Sequence, residues 1–164
     1  MKNKILILIG FFFISVALQA QTTNPALVPF EGTWKWGQNN DSIIIIFEQQ
    51  TTRGFSEQPP LQSLIGWHML KKNGIIVQNS LPFAGSNYQD GFSNNNVKSS
   101  FFGWKKNTNY LYLFVNDITT KFPLEVFAKI LPGLPMQLEC EVNPRGSMWQ
   151  TGHSMPKHFT LTKQ

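Results

Sequence analysis

The feature that most constrains the fold is an alternation of apolar and polar residues in short segments that turn-forming residues separate. The segment PMQLECEV shows it most clearly, because Gln137, Glu139 and Glu141 alternate with apolar residues. A β-strand places successive side chains on opposite faces, so this period of two is typical of a half-buried strand. Asn73 and Gly74 stand between two apolar runs, which is the pattern most typical of a tight hairpin.

The same pattern recurs along the chain, with SIIIIFEQ as an almost wholly apolar exception that we expect to be buried on both faces. The chain is therefore predicted to be all-β, with about eight or nine short strands and at most one short helix. A list of this kind is typical of a closed antiparallel barrel or of a sandwich. The segments that carry a strand pattern are FEGTWKWG, SIIIIFEQ, LQSLIGWHML, IIVQNS, VKSSFFGWKK, YLYLFVND, PMQLECEV and KHFTLTK.

One segment, FPLEVFAKILPG, fits two kinds of secondary structure. Leu124, Phe127 and Leu131 follow helical spacing, yet every second residue of the same segment is also apolar, as in a strand. Pro123 suits a first helical turn and Gly133 suits a helix stop, so we favour a short helix.

The first residues have the pattern of a secretory signal peptide. Lys2 and Lys4 precede the apolar run Ile5–Val16, and Ala20 offers a small residue before Gln21. A membrane-spanning helix needs about 20 apolar residues, and this run is shorter. We therefore predict export to the periplasm or the exterior, and a chain that does not span the membrane after cleavage. The predicted organisation is a signal peptide at 1–20, a lead-in at 21–29 and a barrel domain at 30–164.

Charge and motifs argue against several classes of function. The net charge of +5 includes the two leader lysines, and the other basic residues are scattered, so we predict no nucleic-acid partner. The chain contains no GxSxG, P-loop, GxGxxG or HExxH motif. His68, His153 and His158 show no metal-ligand spacing. We expect a non-enzymatic protein without catalytic residues, metal or cofactor.

Two further groups of reactive side chains receive structural interpretations. Glu139 and Glu141 share one face of a predicted strand, where neighbouring carboxylates are usually solvated. Cys140, the one cysteine, falls on the apolar side of the same strand. It has no partner for an internal disulfide, and we predict a buried, inert thiol.

Aromatic residues make up 13% of the chain, almost as much as the charged residues at 14%, which is an unusual aromatic content. Several rings stand two residues apart, which places both on one side of a strand. Rings in this arrangement either fill a barrel interior or line a pocket for a flat or apolar ligand. The candidate ligand-binding residues are Trp36, Trp67, Trp104 and Tyr112.

The segment FEGTWKW resembles the Gly-x-Trp signature that opens the first strand of lipocalin-like (calycin) barrels. With the leader and the terminal FTLTKQ, the chain is similar to small secreted proteins of unknown function from Bacteroidetes-type bacteria. The resemblance implies a single antiparallel up-and-down barrel in which Gly32 and Trp34 form a structural plug. It also implies a cation over Trp34, with Lys163 or Lys157 better placed than Arg145, which lies in a predicted turn.

Two functions remain open at this point. The first is a non-enzymatic barrel that binds a small apolar or aromatic ligand, with Trp36 one layer deeper than Trp34 as a cavity wall. The second is a structural or interaction protein with a filled barrel that contacts a partner through the loop from Gly85 to Asn96.

Overall fold

The strand at 137–143 alternates strictly between buried and exposed residues, because its sequence alternates in polarity. The computed structural model describes residues 23–52, 61–86, 100–107, 110–116, 123–143 and 154–164, so the predicted signal peptide lies outside the described residues. Within these ranges the strands are β1 Gly32–Gln38, β2 Asp41–Thr52, β3 Leu61–Lys72, β4 Ile75–Asn79, β5 Phe101–Asn107, β6 Tyr110–Asn116, β7 Pro123–Leu131, β8 Gln137–Asn143 and β9 His158–Lys163.

Antiparallel pairing closes eight of these strands into a barrel in the order β1-β2-β3-β5-β6-β7-β8-β9, and β9 returns to pair with β1. The closing register sets Trp34 opposite Lys163 and Lys35 opposite Thr162. β4 is an additional strand that pairs with one end of β3, while β5 pairs with the other part of the same edge. The prediction of an all-β fold with a single antiparallel up-and-down barrel is confirmed, and the sandwich alternative is wrong.

The prediction of a short helix at residues 123–131 is wrong. β7 pairs along its length with β6 on one side and with β8 on the other. Its buried residues include Leu124, Val126 and Ala128, which follow the strand spacing and not the helical one. The segment fits both periods locally, and the hydrogen bonds that two flanking strands offer decide in favour of the strand.

The expectation that SIIIIFEQ is buried on both faces is also wrong. Ile43, Ile45 and Phe47 are buried in the barrel, whereas Ile44 and Ile46 on the opposite face are only half-buried. A run of β-branched residues satisfies the strand geometry of β2 without requiring a covered outer face.

Two hairpin turns meet at one end of the barrel. Asn73 and Gly74 both have positive φ angles, of 51° and 79°, as a two-residue type I′ turn requires. The backbone N–H of Asn73 donates to Asp41 Oδ1 at 2.7 Å, and that of Gly74 donates to the Asn40 carbonyl at 2.8 Å. The β3–β4 turn is therefore joined to the β1–β2 turn by hydrogen bonds as well as by the sheet.

Side chains of the described residues pack closely in the barrel interior. The rings of Phe47 and Phe101 meet edge to face at 5.6 Å between centroids, directly over Gly66. Leu113 lies equally close over Gly103, and neither glycine has room for a Cβ atom. The interior cluster also includes Leu27, Phe30, Trp34, Ile43, Ile45, Leu64, Leu70, Leu111, Val115, Leu124, Val126, Ala128, Leu138, Cys140, Val142, Met155, Phe159 and Leu161.

Replacing Gly66 with Ala should destabilise the barrel, because the new Cβ would stand 2.7 Å from Phe47 Cδ1 and 2.9 Å from Phe101 Cβ. We expect a loss of about 1–3 kcal/mol in the free energy of unfolding, as is usual for an overpacked core. Gly37→Ala is the matched control, because its Cβ would meet Asp41 O at an ordinary 3.7 Å. Denaturant titration measures both, and equal midpoints would contradict this close packing over Gly66.

Candidate functional site

One end of the barrel is closed by the segment that leads into β1. Gly32 has a φ of +104°, which turns the chain from a 3₁₀ turn at Val28–Phe30 into the strand. Trp34 is fully buried, and its indole N–H donates to the Phe30 carbonyl at 2.7 Å. Leu27 and Phe30 join the interior cluster from this segment, so the lead-in is part of the core.

A lysine from the last strand holds the same end. Lys163 Nζ lies 5.5 Å from the ring centroid of Trp34 and donates a hydrogen bond to the Pro29 carbonyl at 3.0 Å. The cation–π contact and the hydrogen bond together tie β9 to the lead-in segment, and we call this pair of contacts the latch. The sequence offers Lys163 or Lys157 as the cation over Trp34, and in the structure it is Lys163. Arg145 lies outside the described residues.

A cluster of buried polar side chains, which we call the polar node, lies where one edge of β3 stops pairing with β4 and begins to pair with β5. The node consists of His68, Gln78, Ser80 and Ser100, with Ser154 at its edge. His68 Nε2 lies 2.5 Å from Gln78 Oε1, and His68 Nδ1 lies 2.6 Å from Ser100 Oγ. Gln78 Nε2 donates to Ser154 Oγ, which leaves Gln78 Oε1 to accept from the His68 imidazole.

The node satisfies backbone groups where β3 changes its partner strand. The Ser80 N–H donates to the His68 carbonyl at 2.8 Å, and the Ser100 N–H donates to the Gly66 carbonyl at 2.8 Å. Ser100 and His68 have the hydrogen-bonded geometry of a nucleophile and its base. Their exposed fractions are 2% and 0%, so both side chains are buried in the barrel wall.

The outer wall of β5, β6 and β7 carries a cluster of rings, which we call the aromatic face. Its members are linked by ring contacts with centroid distances between 5.1 and 6.0 Å. Trp104 is 42% exposed and lies at the centre of three of these contacts. The aromatic face is formed by Phe102, Trp104, Tyr112, Phe114 and Phe127.

Beside the aromatic face lies a groove of about 380 Å³ on the outer wall of β6 to β9. The register explains its make-up, because Lys129 stands opposite Glu139, and Glu141 stands between Phe127 and His158. Lys129 Nζ lies 5.6 Å from the ring centroid of Tyr110. The groove is lined by Tyr110, Phe127, Lys129, Glu139, Glu141 and His158.

The structure separates the four predicted ligand-binding residues. Trp104 and Tyr112 are neighbours in the aromatic face, with ring centroids 5.1 Å apart. Trp67 faces outward from β3 and is fully buried, and its indole N–H has no acceptor within the described part of the chain. Trp36 is half-buried beside Phe159 and lines a second pocket of about 280 Å³ at the hairpin end. The rings therefore do not form one interior cup.

Sequence reasoning missed most of the groove. The sequence favours a helix at Phe127 and Lys129. It therefore does not predict that Phe127 lies opposite Glu141 or that Lys129 lies opposite Glu139. Period two does place both glutamates and His158 on outer strand faces, but only strand pairing brings these three side chains together. Among the described residues no set of three or more His, Cys, Asp or Glu side chains is placed to hold a metal ion.

Several predicted features fall outside the part of the chain that the structure describes. They are residues 87–96 of the proposed partner loop, His153 and Trp149. Leu81–Phe83 at the start of that connection forms a 3₁₀ turn, and Gln50 Nε2 donates to the Ser86 carbonyl at 3.0 Å. Within the described ranges, no helix is long and apolar enough to cross a membrane.

The fold and its surface define a small antiparallel β-barrel with a filled interior, a closed end and an aromatic outer wall. The chain belongs to a family of unknown function, DUF6705, whose model matches residues 1–164. Comparison with curated proteins and with solved structures gave no match.

Removing Trp34 should cost far more stability than removing the charge above it. We expect Trp34→Ala to lower the free energy of unfolding by about 3–5 kcal/mol, as for a buried large aromatic. Lys163→Met keeps the aliphatic stem but loses the cation–π contact and the hydrogen bond, which should cost about 1–2 kcal/mol. Lys157→Met is the surface control, and its denaturation midpoint should match that of the wild type. If Lys163→Met leaves the denaturation midpoint unchanged, the latch adds no stability.

The Cys140 thiol should be unreactive in the folded protein. Burial, reinforced by the charge of Glu139, raises the pKa of this thiol, so the thiolate that reacts with alkylating agents is suppressed at neutral pH. The pKa of the Cys140 thiol is higher in the folded protein than in the unfolded one. Its contribution to the free energy of unfolding is therefore fully present at a pH below the unfolded pKa, and it is lost as the pH rises from the unfolded to the folded pKa. Maleimide labelling followed by mass spectrometry should modify only denatured protein, and rapid native labelling would contradict this placement.

Proposed function

We propose that this chain is an exported, non-enzymatic binding protein whose small ligand packs on the aromatic face. The observation that carries the proposal is Trp104, which stays 42% exposed although it contacts three other rings. A large exposed ring held among other rings keeps its orientation without a ligand, so little conformational entropy is lost on binding.

The outer wall supports this proposal better than the interior does. Gly66 and Gly103 leave no room for even a Cβ atom, because Phe47, Phe101 and Leu113 occupy that space. An exposed apolar patch on a small protein commonly marks a site of interaction, and here the exposed Trp104 stands among half-buried rings. The proposal keeps Trp104 and Tyr112 as ligand contacts, and it gives up the interior cup built on Trp36 and Trp67.

The proposals of export and of non-enzymatic action have support in the sequence and in the polar node. Lys2, Lys4 and the apolar run after them support a signal peptide, and hence a periplasmic or extracellular protein. The resemblance of the leader, FEGTWKW and FTLTKQ to small secreted proteins supports a bacterial origin. The hydrogen-bonded Ser100–His68 pair is buried, and this supports a binding role over a catalytic one.

We also propose kinship with the lipocalin-like (calycin) barrels. Support comes from the combination at the closed end, where Gly32 precedes Trp34 and a terminal lysine lies over the indole. The departure from a ligand-carrying lipocalin is the filled interior, which moves the proposed ligand to the outside.

Tryptophan fluorescence tests the proposed site. Titration with a panel of fatty-acid, retinoid-like, haem-like and neutral oligosaccharide probes should change the emission of the wild-type protein, because an exposed indole such as Trp104 reports on what packs against it. Trp104→Ala should weaken the binding of any responding probe about ten-fold, which corresponds to the loss of one large aromatic contact.

Two control variants distinguish the aromatic face from the rest of the barrel surface. Ile76→Ala removes an exposed apolar side chain from β4, away from the aromatic face, and should leave probe affinity unchanged. Trp36→Ala tests the position at the hairpin end. A probe response that survives Trp104→Ala but is lost in Trp36→Ala would overturn the proposal, as would silence across the whole panel.

A further inference from the structure

We propose that the aromatic face and the groove beside it bind a neutral oligosaccharide. This inference rests on the proposed function, because it names the ligand class for the same wall of the barrel. It goes further in assigning the polar groove a role in recognition, with the aromatic face as a stacking platform.

Strand register places the aromatic face and the groove in one row of residues that runs across the strands. Trp104 lies opposite Tyr112, which lies opposite Phe127, and Phe127 lies opposite Glu141, which lies opposite His158. Since neighbouring strands stand about 4.8 Å apart, this row from β5 to β9 is about 19 Å long. It is aromatic at one end and hydrogen-bonding at the other.

The groove offers a flat apolar surface together with hydrogen-bonding groups of both kinds. Phe127 and Tyr110 supply rings, Glu139 and Glu141 accept hydrogen bonds, and Lys129 donates them. A sugar residue presents the complementary chemistry, with an apolar C–H face and a rim of hydroxyls that both donate and accept. The volume of about 380 Å³ is within the range of small-ligand sites.

Other ligand classes fit the groove less well. A wholly apolar ligand would strip water from Glu139, Glu141 and Lys129 without replacing their hydrogen bonds, which is costly. An anionic ligand would meet two carboxylates against one ammonium group. A cationic ligand would compete with Lys129, whose Nζ already lies 5.6 Å from the Tyr110 ring centroid.

The distance between the groove and Trp104 points to a chain of sugars. Two strands, β6 and β7, separate Trp104 on β5 from Glu141 on β8. A single sugar in the groove leaves the exposed indole uncovered, whereas an oligosaccharide along the row reaches both. Affinity should therefore rise with chain length until Trp104 is covered.

Calorimetric titration with neutral gluco-, xylo-, manno- and galacto-oligosaccharides, from single sugars to hexasaccharides, tests this inference. We expect at least one series to bind, with affinity that rises with length. Trp104→Ala should remove that rise and weaken hexasaccharide binding about ten-fold, without changing the affinity for the single sugar. Glu141→Gln should weaken every length about ten-fold, because a charged hydrogen-bond acceptor is lost.

Trp104 and Glu141 are exposed and Trp36 is half-buried, and unchanged thermal unfolding midpoints will show that each variant folds. If no sugar binds while aromatic or fatty-acid probes still bind through Trp104, this inference is overturned and the proposed function stands. Loss of sugar binding in Trp36→Ala instead of Trp104→Ala overturns it in favour of the hairpin-end pocket. Tighter binding of sulfated or uronic saccharides overturns the neutral assignment. Self-association that Trp104→Ala abolishes, without sugar binding, overturns it in favour of a wall that meets a second copy of the chain.

Discussion

Closure of the sheet rests on its shortest strand pairing, where β9 meets β1. Only two residue pairs are in register there, Trp34 with Lys163 and Lys35 with Thr162, whereas β2 and β3 are paired along eleven. An open edge at this seam would expose unpaired backbone groups of both strands. The latch compensates for the short ladder, because Lys163 adds a cation–π contact and a hydrogen bond that cross the seam. Trp34 therefore belongs to the core and to the closure at once.

A filled interior has a consequence for where function can reside. Phe47, Phe101 and Leu113 take the space over two glycines, so the inner wall has no room to spare at that level. The hydrogen-bonding groups of the polar node are also used within the fold, since its serine and histidine side chains hydrogen-bond to one another and to backbone groups of β3. Among the described residues, the side chains that remain able to meet a ligand are on the outside. There the register collects rings on β5 to β7 and charged groups on β7 to β9.

How much of this follows from local sequence depends on the segment. Asn73 and Gly74 specify their turn on their own, because few other residue pairs adopt two positive φ angles. β8 is equally plain, since its alternation leaves Leu138, Cys140 and Val142 buried. β7 is the contrary case, because helix and strand periods coincide within nine residues. Its neighbours β6 and β8 decide the matter, and no local pattern reports on them.

The candidate site shows the same division at a finer level. Alternation alone predicts the all-β class, the aromatic pairs and the outward placement of Glu139 and Glu141, because side-chain direction in a strand depends only on position parity. Parity does not say which outward residues are neighbours. Tyr112 lies opposite Phe127, and Glu141 lies opposite His158, because of the register in which their strands pair. The sequences that connect these strands do not specify that register. Trp67 in IGWHM and Trp104 in FGWKK have similar local sequences, yet Trp67 is fully buried and Trp104 is exposed. Ring closure and register, which are properties of the assembled sheet, decided which aromatic residues became core and which became surface.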